Sequence, residues 1–175
     1  MREAVIVSTA RTGIGRAFRG SLNNIKSPQL MGHVIAHAVQ RAGVAPDEVE
    51  DVVVGTAMAG GTAGMNLGRL SALAAGLPVS VPGQTMDRQC ASGLMAIATA
   101  AKQIIVDGMD VTVGGGQENI SAVQNAFVKW VAEAHSGRVE VTSAPGAGSQ
   151  FSLLLPLKTD DATELQFTHQ VAVLS

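Results

Sequence analysis

Four short runs stand out by their pattern of apolar and β-branched residues: AVIVSTA (4–10), DVVVGTA (51–57), SVPGQTM (80–86) and DVTVGGG (110–116). Such runs are apolar on both faces rather than alternating, which is the signature of buried strands in a parallel sheet. Between the first two, Leu30, Met31, Val34, Ile35, Ala38, Val39 and Ala42 form an i, i+4 stripe, with Ser27 placed to act as N-cap, Pro28 in the first turn and Gly43 as the stop. The spacing predicts a second helix over about 67–75, halted by Gly76 before Pro78, and a third over about 91–106, with Gly108 behind it. Strands alternating with helices predict an α/β fold over residues 1–121, a mostly parallel sheet with helices as crossovers.

The third predicted helix differs from the others. In ASGLMAIATAAKQIIV only Lys102 and Gln103 are strongly polar, so it is expected to be buried on several sides. After Ser121 the texture changes. VQNAFVKWVAEAH reads as a helix, and GRVEVTSAPGAGSQFSLLLPL reads as strand, Pro/Gly turn, strand, a C-terminal antiparallel β-hairpin. The organisation expected is a domain over 1–127, a helix and hairpin over 128–157, and a polar tail over 158–175 that receives no assignment.

Composition narrows the partners. The 175 residues carry a formal charge of -2 and only 3% aromatics, without a basic stripe, so the residues that track phosphates and stack bases are lacking and nucleic acid is not expected. The single cysteine makes no internal disulfide, and Met1 leads through two charges into AVIVSTA without a secretory pattern. A cytoplasmic location is expected, with no membrane partner.

Cys90 is the residue with candidate chemistry. Free cysteine is among the most buried residue types, so one reading is a small core hydrophobe. The other is a nucleophile: a helix start offers unpaired N–H groups and a positive dipole end to a thiolate, Arg88 lies two residues upstream, and Ala91, Ser92 and Gly93 leave room for a substrate. Lesser signals read as structure. GIGRAFRG mimics a dinucleotide fingerprint, but Phe18 takes the third glycine position and no helix follows at once, so it is a loop. His33 and His37 are four apart beside Gln40 and Arg41 with no third ligand, which predicts a solvated face and no metal site. Gly146 and Gly148 read as turn glycines and His135 as a helix-end residue.

MREAVIVSTARTGIGRAFRGSL, MNLGRLSALAAGLP, DRQCASGLMAIATAAKQI and VGGGQENIS occur in order over about residues 1–127, and together this part resembles the N-terminal half of the thiolases, the acetyl-CoA acetyltransferases. The resemblance implies an acyl-CoA thioester as substrate, no separate cofactor, and acylation at Cys90. It further implies that the Cys90 helix lies between two sheets, that Asn66 and Arg69 sit near a dimer interface, that homo-oligomers form through the strand at 80–86, and that Glu118 is structural. The second half of the family supplies a histidine in a Gly-His-Pro setting, a second cysteine and an asparagine, and the 175 residues contain no counterpart. Thiolase-type acyl transfer is therefore expected to be incomplete in this chain; the competing reading is a non-catalytic fusion acting at most as a structural or interaction module. Residues 128–157 resemble the C-terminal end of a sensor histidine kinase ATP-binding domain, which places a junction near 126–129.

Overall fold

The computed structural model describes residues 2–121 and, as backbone only, the strands over 138–144 and 148–154. The helix expected over 123–135, with His135 at its end, Gly146 and the tail fall outside the described residues. The chain divides into two units, Met1–Val123 and Gln124–Ser175, which are described separately.

The first unit is built on three parallel strands in the order β2-β1-β3: β1 (Asp51–Gly55) lies between β2 (Gln84–Met86) and β3 (Thr112–Gly116). Val53 pairs with Gln84 on one side and with Gly114 on the other. Val52, Val53 and Val54 are all fully buried, as the continuous apolar run requires of a strand covered on both faces. The pleat sends Val52 and Val54 one way, into a cluster with Met31, Ile35 and Val39 of α1 (Ser27–Ala42) and Leu67 and Ala72 of α2 (Leu67–Ala74). Val53 points the other way, onto Ala96 and Ala100 of α3 (Ser92–Lys102). The result is three layers: α1 and α2, the sheet, then α3.

Element ends follow the sequence signals closely, with two exceptions. Gly43, at φ 68°, and Gly108, at φ 81°, close their helices in the left-handed region that favours glycine. Ser27, expected as the N-cap of α1, is instead the first helical residue; Lys26 is the cap, and the Ser27 hydroxyl lies 3.0 Å from Thr62 Oγ1. Lys26 is the cap because its carbonyl already accepts the first helical bond, from the Leu30 amide at 3.0 Å. Beyond Lys102 the third helix widens into a π turn, Gln103–Asp107.

The larger exception is the strand expected over 4–10, which does not form. Val5, Ile6 and Val7 are 70%, 78% and 69% exposed, and the segment is fastened at its ends. Arg2 donates to the Gly108 carbonyl and pairs with Asp110, and Arg41 Nη1 donates to the Thr9 carbonyl at 2.9 Å. Composition gives a segment the propensity for a strand, but only a neighbour with free N–H and C=O groups makes it one. Among the described strands β3 pairs with β1 alone, so the sheet ends there.

Asp51 ties the layers together. Its Oδ2 accepts from Gln84 Nε2 at 3.1 Å and from Gln103 Nε2 at 2.5 Å, while Oδ1 accepts from the Val52 amide at 2.8 Å. The carboxylate is 7% exposed and joins β1, β2 and the π turn through neutral amides. The run from Gln89 to Asp107 is long and apolar enough by composition to cross a membrane, but here Ala96 and Ala100 dock it on the sheet. In the second unit, β4 (Arg138–Ala144) and β5 (Gly148–Leu154) pair antiparallel, Val141 opposite Phe151.

Candidate active site

In an open parallel sheet the carboxyl ends of the strands converge on one edge, where the connections leave room for a ligand. Here β1 ends at Gly55, β2 at Met86 and β3 at Gly116, and Cys90 stands in the connection from β2 to α3. Its thiol is free and the residue exposed. Helix α3 begins at Ser92 with Ala91 as cap, so Cys90 immediately precedes the cap.

The connection is held by short polar contacts. The Gln89 amide donates to Asp87 Oδ1 at 2.8 Å, the Arg88 amide donates to Ser92 Oγ at 2.8 Å, and the Ser92 hydroxyl donates to the Gln89 carbonyl at 2.6 Å. Ser92 is thus the buried anchor of the turn and leaves Cys90 facing outward. Gln89 adopts φ 50°, a left-handed conformation uncommon for a non-glycine residue, which turns the chain sharply just before Cys90. The Arg88 guanidinium lies along α3, where Nη1 reaches Met95 Sδ at 3.4 Å.

Two glycines seat the start of α3. A Cβ on Gly55 would lie 2.2 Å from the Ser92 carbonyl group, and one on Gly116 would lie 2.7 Å from the Gly93 Cα. The helix start therefore rests backbone on backbone against the ends of β1 and β3, with no space for a side chain between.

A cavity of about 370 Å³ opens beside Cys90, bordered by Gln89, Gly93, Ile97, Gln117 and Glu118. Glu118 is the other ionisable group in that wall. Its Oε1 accepts from Thr56 Oγ1 and the Met58 amide, both at 2.9 Å, and Oε2 from the Ala57 amide at 3.0 Å. Both oxygens are spent on the loop after β1, the structural part expected of it. Gln117 donates its amide to the Gly55 carbonyl at 3.1 Å, and both polar atoms of its side chain are out of solvent with no partner among the described residues. On the far side of 116–118 a second cavity of about 360 Å³ is lined by the loop over 10–15 and by Leu30, Met31 and Val34 of α1. GIGRAFRG is part of that loop, without a helix directly behind it.

Asn66 and Arg69 lie on the opposite side of the sheet from α3. Asn66 Oδ1 caps α2 by accepting the Arg69 amide at 3.1 Å, and Nδ2 donates to the Gly83 carbonyl at 2.7 Å. Arg69 Nη2 donates to the Val79 carbonyl at 2.8 Å and Nη1 to that of Val81. Together they fasten the segment leading into β2. His33 and His37 are exposed on α1, their rings edge to face at 4.5 Å.

This arrangement has known counterparts. The family described as thiolase, N-terminal domain, matches residues 4–143, four-fifths of the chain. The chain belongs to the thiolase family. It is 45% identical over 127 residues to an acetyl-CoA acetyltransferase of Cupriavidus necator, covering 73% of this chain and 32% of that protein. A 3-ketoacyl-CoA thiolase of Bacillus subtilis is 39% identical over 123 residues, covering 70% of this chain and 32% of its own. The crystal structure of the Bacillus anthracis acetyl-CoA acetyltransferase superposes with a TM-score of 0.65 at 42% identity, covering 70% of this chain and 30% of that one. The thiolase sequence here thus spans about a third of the length of these relatives. The family match runs on to residue 143, past the junction expected near 126–129.

Of the residues singled out in the sequence, Cys90 and Glu118 meet at the cavity, whereas Asn66, Arg69, His33 and His37 do not reach it. Gly55 and Gln117 escaped notice, and Ser92, expected only to leave room for a substrate, is the buried anchor of the turn. The GGG of 114–116 was the available signal, since glycines at a strand end mark a close backbone approach.

Proposed function

We propose that Cys90 accepts an acyl group from an acyl-CoA thioester, the first half of thiolase-type acyl transfer. The observation that carries this reading is the exposed thiol at the carboxyl edge of a parallel sheet, opening on a 370 Å³ cavity in a chain of this family. The Cys90 sulfur attacks the thioester carbonyl carbon, a new C–S bond forms, the bond to the CoA sulfur breaks, and CoA departs as the thiol with the proton that Cys90 gives up.

The same geometry supports one acylation and argues against sustained turnover by this chain alone. A second acyl transfer needs a base to take a proton from the incoming nucleophile, and the one carboxylate in the described wall, Glu118, is committed to the loop after β1. Incubation with acetyl-CoA followed by mass spectrometry of the tryptic peptides tests the reading. Acetyl on Cys90, absent in Cys90→Ser, supports it; an unmodified Cys90 at millimolar acetyl-CoA overturns it.

The proposal extends to assembly. The outer edge of β2 has no partner among the described strands, and Asn66 and Arg69 hold the segment before it in place, so this edge is the natural seam for a homodimer. A cytoplasmic location and a kinase-derived origin of 128–157 belong to the same proposal, the latter supported by the sequence PGAGS over 145–149 and by the antiparallel pairing of β4 with β5.

A further inference from the structure

The cavity beside Cys90 offers little apolar surface to a ligand. Gly55, Gly93 and Gly116 contribute backbone alone, and Gly55 and Gly116 have no space for more, since a Cβ on either would run into the start of α3. The Ser92 hydroxyl is bonded to the Gln89 carbonyl, and the Glu118 carboxylate to the loop after β1. Besides Cys90 itself, Ile97 is the one apolar side chain in the wall among the described residues. It lies four residues beyond Gly93, one turn further along the same face of α3. Ile97 is 43% exposed and belongs to neither core cluster, whereas Ala96 and Ala100 of the same helix are 0% and 6% exposed against the sheet. The helix beneath it has no room to yield. A Cβ on Gly114 would lie 2.8 Å from the Ile97 Cα, so α3 already rests on the backbone of β3 at this turn. A change of side chain at 97 therefore alters the cavity and not the seat of the helix.

We infer that Ile97 sets the acyl-chain preference of the site: the methylenes of an acyl group longer than acetyl pass over the bare backbone of Gly93 and lie on Ile97. The inference rests on acylation at Cys90 and names the part of the substrate that this cavity discriminates. An acetyl group carries one methyl and ends short of Ile97, so it gains nothing from that side chain. A straight hexanoyl chain carries four more methylenes toward it, and each one taken out of water is worth up to about fourfold in a rate or binding constant. The apolar contact is made by a single side chain, so its polarity alone decides the preference.

The test compares the rates at which hexanoyl-CoA and acetyl-CoA modify Cys90, followed by mass spectrometry, in the full chain and in Ile97→Val and Ile97→Thr. Valine and threonine share a shape and differ in one hydroxyl, so the pair isolates polarity. Both variants should unfold at the temperature of the parent, because Ile97 belongs to neither core cluster. Ile97→Val should keep the hexanoyl-to-acetyl ratio within about twofold of the parent, and Ile97→Thr should lower it about fivefold, with the acetyl-CoA rate unchanged in both. Equal ratios in the two variants, or a loss that falls on both thioesters alike, would overturn the inference. A second pair of reagents, iodoacetamide and its N-hexyl derivative, reads the same surface without acyl transfer. Ile97→Thr should lower the ratio of hexyl to unsubstituted alkylation, and Ile97→Val should not. If both thioesters leave Cys90 of the parent unmodified while the alkylation ratio falls in Ile97→Thr, the acylation reading fails and Ile97 remains the surface that sorts groups carried to Cys90. An alkylation ratio equal in the two variants defeats the inference whatever the thioesters do.

Discussion

Cys90 illustrates how one residue is made available by its neighbours. The buried hydroxyl of Ser92 takes the Arg88 amide and gives its proton to the Gln89 carbonyl, and this pins the turn so that the thiol faces out. Iodoacetamide should therefore modify Cys90 in the native protein without denaturant, at a rate at least equal to that of a model thiol at pH 7, read by mass spectrometry over time. Labelling that needs denaturant would return Cys90 to the core. Ser92→Ala should leave the Arg88 amide short of its acceptor, destabilise the fold by about 1–2 kcal/mol in a denaturant titration, and change the Cys90 labelling rate. Gln89→Gly relieves the left-handed backbone, by about 0.5–1 kcal/mol in the folded state, against a comparable entropic cost in the unfolded chain, so its stability should shift little.

Packing between elements decides where that turn sits. Gly55 gives α3 direct access to the end of β1, and adding a single methyl there would bring two backbones into collision at 2.2 Å. Gly55→Ala should cost about 1–3 kcal/mol or more, seen as a lower denaturant midpoint, and should slow acylation of Cys90 by displacing the helix start. Gly43, which closes α1 with open space around its Cα, provides the contrast: its substitution strains φ alone and should leave acylation unchanged. Asp51 works at the same scale. Removing its carboxylate in Asp51→Ala leaves the buried Gln103 amide and the half-buried Gln84 amide without an acceptor, for an expected loss of about 1–3 kcal/mol by chemical denaturation.

At the scale of the whole molecule assembly turns on strand edges, and among the described strands of the first unit β2 has a partner on one side only. The β2 edge is the proposed homodimer seam, so light scattering should give a dimer that Thr85→Pro converts to a monomer, since proline at an edge strand removes a ladder donor. Thr85 also donates to Asn66 Oδ1 at 3.0 Å, so circular dichroism of the variant is needed to show that the sheet survives. The chain alone should show no steady-state condensation of acetyl-CoA or cleavage of acetoacetyl-CoA; robust turnover that disappears in Cys90→Ser would show that this chain supplies its own base.

The sequence by itself determined the alternation of strands and helices over 27–116, the closing glycines 43 and 108, and the burial of the Val52–Val54 triplet, because each depends on local periodicity or on a conformation that only glycine adopts readily. Its motifs also marked Cys90, since a cysteine ahead of a helix is visible in one dimension. Three things were settled only in the folded chain. Residues 4–10 have the composition of a strand but stay unpaired, because pairing needs a neighbour's free edge and no property of the segment itself provides one. Glu118 lies beside Cys90 yet is held by the loop after β1, a contact across 60 residues. Gly55, Ser92 and Gly116 meet although they are far apart along the chain, because parallel strands place their carboxyl ends on one edge and the crossover brings the helix start back over them.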